Sequence, residues 1–132
     1  MEYQQSDFSN ELLNKIRKNE MMLQSHMREL LKKYKPIFIK RALELDISFF
    51  REGEDPFKPG YNSFINIGVA EKGEEAFSLH SLNIWECNRY FLGMPISKRI
   101  MGSKVTGELI DEPVKAVKEE WEEFLEDCLI EE

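Results

Sequence analysis

The chain has 132 residues, with 18 Lys and Arg against 25 Asp and Glu, for a formal charge of −7. That length suits one domain with one real core; 42% hydrophobic and 33% charged residues exclude a disordered tail, and 7 Gly with 5 Pro exclude a fibrous or low-complexity chain. No apolar run approaches the ~18 residues of a membrane span, and Met1-Glu-Tyr-Gln-Gln-Ser-Asp7 has neither the basic nor the apolar region of a signal peptide, so a cytoplasmic protein with no membrane partner is expected.

Ser9 or Asn10 can cap a helix whose apolar stripe runs Leu12, Ile16, Leu23, Met27, Leu30 and Tyr34. The spacing follows 3.6 residues per turn except at Asn19 and Glu20, where polar residues interrupt it and a kink or split is expected. Pro36 should end this helix, because the residue before proline avoids helical dihedrals. Residues 1–35 are thus a helical segment and residues 42–132 a sheet with helices, within a single domain over 1–132. Leu43 to Phe49 alternates strictly between apolar and polar, the pattern of a strand with one buried face. Residues 51–60 are dense in turn formers and read as a loop. A second strand runs from Phe64 to Ala70, with Ile65, Ile67 and Val69 on one face and Asn66 and Gly68 on the other. After a polar turn over Glu71–Glu75, the third strand, Ala76 to Leu82, should pair antiparallel with the second.

At Asn83 the period changes. Asn83 suits an N-cap, Glu86 stands three residues on, and Ile84, Trp85, Asn88, Arg89, Phe91 and Leu92 follow helical spacing. A short helix from Ile84 to Leu92 is therefore expected, stopped by Gly93 and Pro95. Residues 93–103 read as irregular. Lys104 to Ile110 is a fourth strand with Val105 and Leu109 on one face, although Gly107 is a poor strand residue. Asp111 as cap and Pro113 in the first turn open a last helix with the stripe Val114, Val117, Trp121, Phe124, Leu125, Cys128. The fold class is α+β: a long N-terminal helix, an antiparallel sheet of about four strands, a short middle helix and a C-terminal amphipathic helix packed on the sheet.

Little catalytic chemistry is on offer. Cys87 and Cys128 are too few and too far apart for a disulfide scaffold and read as reduced, buried thiols. His80 with Cys87 is the one nearby His/Cys pair; on the expected helix, Cys87 would sit in the first turn, where the dipole lowers a thiol pKa. Nothing resembles a nucleophile elbow, so no catalytic or cofactor-binding residues are expected. No Cys-x-x-Cys or His-x-x-x-His spacing marks a metal site; the run Glu119, Glu120, Glu122, Glu123, Glu126, Asp127 reads as a solvated helix face. The segment Gly93 to Gly107, with Lys98, Arg99 and Lys104, matches no phosphate-binding fingerprint.

Charge is distributed unevenly. Residues 1–60 hold 11 cations and 10 anions, residues 61–132 hold 7 and 15, and residues 108–132 carry 11 acids against Lys115 and Lys118. Residues 28–41 carry Arg28, Lys32, Lys33, Lys35, Lys40 and Arg41 against Glu29. This basic stretch interleaves with Tyr34 and Phe38, a pattern nucleic-acid binders use, but the whole-chain charge disfavours that partner. A dipolar molecule with a basic first helix and an acidic last helix is expected.

From Ile65 to Cys128 the motifs form a pattern: the turn and strand Gly73-Glu-Glu-Ala-Phe-Ser-Leu79, Asn83-Ile-Trp-Glu86, a strand ending at Ile110-Asp111, and Trp121-Glu-Glu-Phe124. This resembles small cytoplasmic immunity proteins of bacterial polymorphic-toxin systems, the group with a G-x-E-x-F-x-L strand followed by a Trp-containing helix. The resemblance implies a protein that binds and neutralises a cognate toxin and has no catalytic residues. The acidic last helix points the same way, since acidic surfaces steer onto basic partners. Candidate contact residues are Glu119, Glu122, Glu123, Glu126 and Asp127, with Phe57 or Tyr61 as an exposed aromatic anchor. Two other readings stand beside this one: a small-ligand or enzyme pocket near His80, Trp85 and Cys87, and a homodimer formed through the N-terminal helix.

Overall fold

The structure, a computed structural model, describes residues 1–130. In chain order its elements are β1 (Glu2–Gln4), a single 3-10 turn at Gln5–Asp7, α1 (Asn10–Lys40), β2 (Leu43–Glu52), β3 (Asn62–Glu71), β4 (Ala76–Phe91), β5 (Met94–Ile96), β6 (Lys104–Leu109) and α2 (Val114–Ile130). The antiparallel sheet has six strands in the order β1-β6-β4-β3-β2, with β5 paired to β4. The α+β class, the long first helix and the last helix are as the sequence predicts. The two strands beyond the expected four, β1 and β5, are three residues each, too short for any periodicity to register.

The short helix expected at Ile84–Leu92 is instead the second half of β4, a strand of 16 residues. Along the first half of β4 the shielded positions are Ser78, His80, Leu82 and Ile84, and after these the buried positions are Trp85 and Cys87. The inward face slips by one residue between Ile84 and Trp85. A phase slip of this kind accompanies an extra residue in a strand, and it places apolar residues at spacings that imitate a helix.

Two corrections concern α1. Its stripe is continuous, because Glu20 is itself buried on it, at 2% exposure. Nor does Pro36 end the helix. It lies inside α1, exposed, and the helix closes four residues later, where the N–H groups of Arg41 and Ala42 donate to the carbonyls of Phe38 and Ile39 (both 3.0 Å) and Ala42 takes a left-handed φ of 59°. Phe38 is fully buried, so burial of this last turn offsets the backbone bond that proline forfeits. At the other end Ser9 is the cap, its Oγ accepting from the Leu12 N–H at 3.2 Å.

Residue contacts divide the chain into two compact units, and α1, β2, β3 and β4 each contribute residues to both. Unit 1 comprises residues 1–20, 50–64 and 83–111. Its core is Leu12, Ile16, Tyr61, Trp85, Cys87, Val105 and Leu109, with Tyr3, Phe8, Phe57 and Ile110 packed against it. Trp85 organises this core. Its indole N–H donates to the Pro56 carbonyl at 2.7 Å, and its ring meets Phe8 and Phe57 edge-on at 5.8 and 6.3 Å. Gly107, the residue that spoils the β6 pattern, stands where a Cβ would come within 2.0 Å of the Trp85 ring. Only glycine admits the indole there.

Among the described residues, unit 2 comprises 21–49, 65–82 and 112–130. Its buried side chains include Leu23, Leu30, Tyr34 and Phe38 of α1, Ile65, Ile67 and Val69 of β3, and Val117, Trp121, Leu125, Cys128 and Leu129 of α2. The second half of α1 and α2 are joined by a stack of His26 on Trp121 (5.3 Å, 5° between planes), by Tyr34 Oη donating to Glu126 at 2.9 Å, and by Arg41 donating to the Leu129 carbonyl at 2.6 Å. α2 begins at Val114 rather than beside Asp111; the Ala116 and Val117 N–H groups reach the Pro113 carbonyl. Asp111 instead pairs with the Met1 amine.

Candidate interaction surfaces

The acidic run of residues 108–132 resolves, on α2, into acids with different surroundings; Glu131 and Glu132 lie outside the described residues. Glu119, Glu123 and Asp127 are exposed at i, i+4 and i+8, and none of the three makes an ion pair or hydrogen bond among the described residues. Like charges at this spacing repel along a helix. Glu122 is half-buried, and Glu126 accepts the Tyr34 hydroxyl, which together with burial pushes the Tyr34 pKa up to about 12, burial contributing most. Glu120 faces Glu112, two residues before α2, and that contact raises the Glu112 pKa. Five exposed acids therefore stand on α2, three of them unpartnered.

The basic stretch 28–41 belongs to the same unit. Tyr34 and Phe38, which would have to stack on bases, are buried, and Arg41 is engaged with the Leu129 carbonyl. The interleaved aromatics serve the core, and stacking on nucleic acid is not open to them.

The two aromatic anchors also resolve. Tyr61 is buried at 2% exposure and is no exposed anchor. Its hydroxyl donates to Glu20 at 2.6 Å and accepts from Arg51 Nε at 2.9 Å, while Arg51 Nη2 donates to the other Glu20 oxygen at 2.9 Å. Burial, then the bond to Glu20, pushes the Tyr61 pKa up to about 12. The polar break at Glu20 in the α1 stripe is thus one corner of a charge-neutral network inside unit 1. Phe57 is half-buried, stacked on Phe8 at 4.7 Å.

The pocket anticipated around Trp85 and Cys87 is filled core, since both side chains are fully buried. Cys87 lies on a strand, where no helix dipole assists it, and burial pushes its thiol up to about 11. A thiol protonated at neutral pH is a poor nucleophile. His80 lies beside the Phe124 ring, with Nε2 4.0 Å from Glu120. Among the described residues no group of three or more His, Cys, Asp or Glu side chains is placed to hold a metal ion.

One surface escapes any reading of the sequence. On unit 1, an open groove of about 630 Å³ runs over the outer face of β1, β6 and β4. Register sets Glu2 opposite Glu108 and Glu108 opposite Glu86, so three carboxylates cross three strands in one row. Each has a local donor: Gln4 for Glu2 (3.2 Å), Asn88 for Glu86 (2.8 Å) and the Met1 amine for Glu108 (3.2 Å). These residues are far apart in sequence, and only the pairing brings them together.

No protein-family model matches the chain, and no curated protein and no solved structure matches it either.

Proposed function

We propose that this chain is a small protein-binding module that docks a basic partner on the outward face of α2, in the manner of an immunity protein neutralising a cognate toxin. The observation that supports this reading most is the unpartnered stripe Glu119, Glu123, Asp127. α2 turns Val117, Trp121, Leu125 and Cys128 inward and bears the like-charge row Glu119, Glu123, Asp127 on the outside, with Lys115 one turn before it. Such a row costs the free protein a few tenths of a kcal/mol per pair, and a cationic surface would relieve it. Electrostatic complementarity of this kind acts mainly on association rate and partner choice.

The experiment is co-purification with the product of the gene adjacent to the one encoding this chain, repeated after charge reversal of Glu119, Glu123 and Asp127. The account expects the complex to be lost with the fold intact by circular dichroism. A complex that survives the reversal removes this face from the proposal. The α1 positions Leu12, Ile16, Leu23, Leu30 and Tyr34 are buried within the chain itself, so a second copy would have to use other residues of α1.

A further inference from the structure

We propose that the end of unit 1 built from the Leu92–Gly93 turn and the 100–103 turn is a docking surface for an anionic lipid bilayer. Between Glu86 and Glu108 the chain carries Arg89, Lys98, Arg99 and Lys104 and no acid, within a sequence whose net charge is −7. The same segment holds four large apolar side chains in solvent: Leu92 at 88% exposure, Met94 at 68%, Ile100 at 42% and Met101 at 97%.

The strand pairing brings the two turns to one place, and Lys98 and Arg99 lie in the segment that joins β5 to the second turn. Phe91 opposes Met94 and Arg89 opposes Ile96, so Leu92 and Gly93 form a two-residue hairpin turn at the end of β4. Lys104 opposes Tyr90, the Ser103 N–H donates to the Ile100 carbonyl at 3.0 Å, and Arg89 donates to Ser103 Oγ at 3.0 Å. A Cβ on Gly102 would lie 3.7 Å from the Phe91 ring. Both turns therefore meet at the tip of β4.

The turn chemistry is unusual. Leu92 and Gly93 both have positive φ, 51° and 80°, a pairing that Asn-Gly or Asp-Gly satisfies without strain. A leucine there is held in an unfavourable backbone conformation with its side chain in water, and neither the turn nor the core gains from it. An occupant that takes up aliphatic tips would gain. Protein hot spots favour Trp, Tyr and Arg in well-packed pockets, whereas this patch is aliphatic and sits on two turns. A bilayer needs no shape complementarity: side chains of this kind reach the acyl boundary while lysines and arginines meet anionic headgroups. Among the described residues no helix is long and apolar enough to cross a membrane, which concerns the interior of a bilayer and not its surface.

The test is flotation of the full chain with vesicles of phosphatidylcholine alone and of phosphatidylcholine with one-quarter phosphatidylglycerol, at low salt. The proposal expects binding to the second and not the first, with release at high ionic strength. Lys98→Ala and Arg99→Ala should each weaken binding about fivefold, the loss of one cation near a charged surface. Leu92→Asn and Met101→Ser together should abolish it, and because Asn tolerates the left-handed turn, Leu92→Asn should leave the melting temperature level or raised. Absence of binding by the unmodified chain, equal binding to both vesicles, or binding unchanged in the Leu92→Asn/Met101→Ser variant each overturns the proposal. Retention on immobilised poly-glutamate without vesicle binding also overturns it, in favour of an acidic protein.

Discussion

Gly107 and Trp85 are best understood as one feature. The missing Cβ on β6 makes room for the indole from β4, since a Cβ would overlap the ring at 2.0 Å. Gly107→Ala is accordingly expected to cost about 3 kcal/mol, the upper end for overpacking, and much less in a Trp85→Val background. Urea unfolding of the two single variants and the double variant measures that coupling; an additive result would refute it. The Glu20, Arg51 and Tyr61 network makes a second residue-scale prediction. Arg51→Met leaves the Glu20 carboxylate buried without its cation and should cost about 3 kcal/mol, the lower end for breaking a buried pair because Arg51 is partly exposed. His26 supplies the pH dependence. It is buried against Trp121 with no hydrogen bond to either ring nitrogen among the described residues, and Glu29, Glu122 and Lys118 are the charged groups that act on it. Burial, then Lys118, lowers its pKa below 6.5. The unfolded chain thus takes up a proton that the folded chain refuses, so stability present above pH ~6.5 declines as pH falls through that value toward the folded pKa. His26→Phe should flatten this acid limb in melting curves taken across mildly acidic pH; an identical slope would show that His26 does not set it.

At the scale of elements, α1 and β4 show what periodicity does and does not carry. Long stripes with one phase were legible: the α1 apolar positions, the alternation of β2 and β3, and the α2 stripe all appear where the spacing places them. The second half of β4 was not, because its inward face changes phase at Ile84–Trp85 and two half-strands out of phase mimic a helical repeat. Pro36 misled for a different reason. Local dihedral preference argues for a stop, but burial of Phe38 one half-turn further on draws the helix past it. Pro36→Ala, at an exposed interior position, should restore the bond to the Lys32 carbonyl and stabilise the protein by about 1 kcal/mol after the loss of proline's unfolded-state advantage. A drop in melting temperature would mean that the proline bend is itself required by the packing.

For the whole molecule, the charge of −7 gains meaning from where its members stand. The acids of the last helix were legible in the sequence as a run, but which of them stay available was not: Glu126 is taken by Tyr34, Glu120 by Glu112, and Glu122 is half-buried. The Glu2, Glu108, Glu86 row was wholly illegible, since strand register alone creates it. What remains for a partner is Glu119, Glu123 and Asp127, and the middle one is decisive. Glu123→Lys converts two repulsive i, i+4 pairs into attractive ones and should stabilise the unbound protein by about 0.5–1 kcal/mol. A site kept for binding at some cost in stability should show the opposite sign in the complex. The most direct measurement is therefore the Kd of this single variant for the neighbouring gene's product beside its melting temperature. The account predicts a raised Tm together with a Kd weakened about tenfold or more, chiefly through slower association. A raised Tm with an unchanged Kd would contradict it.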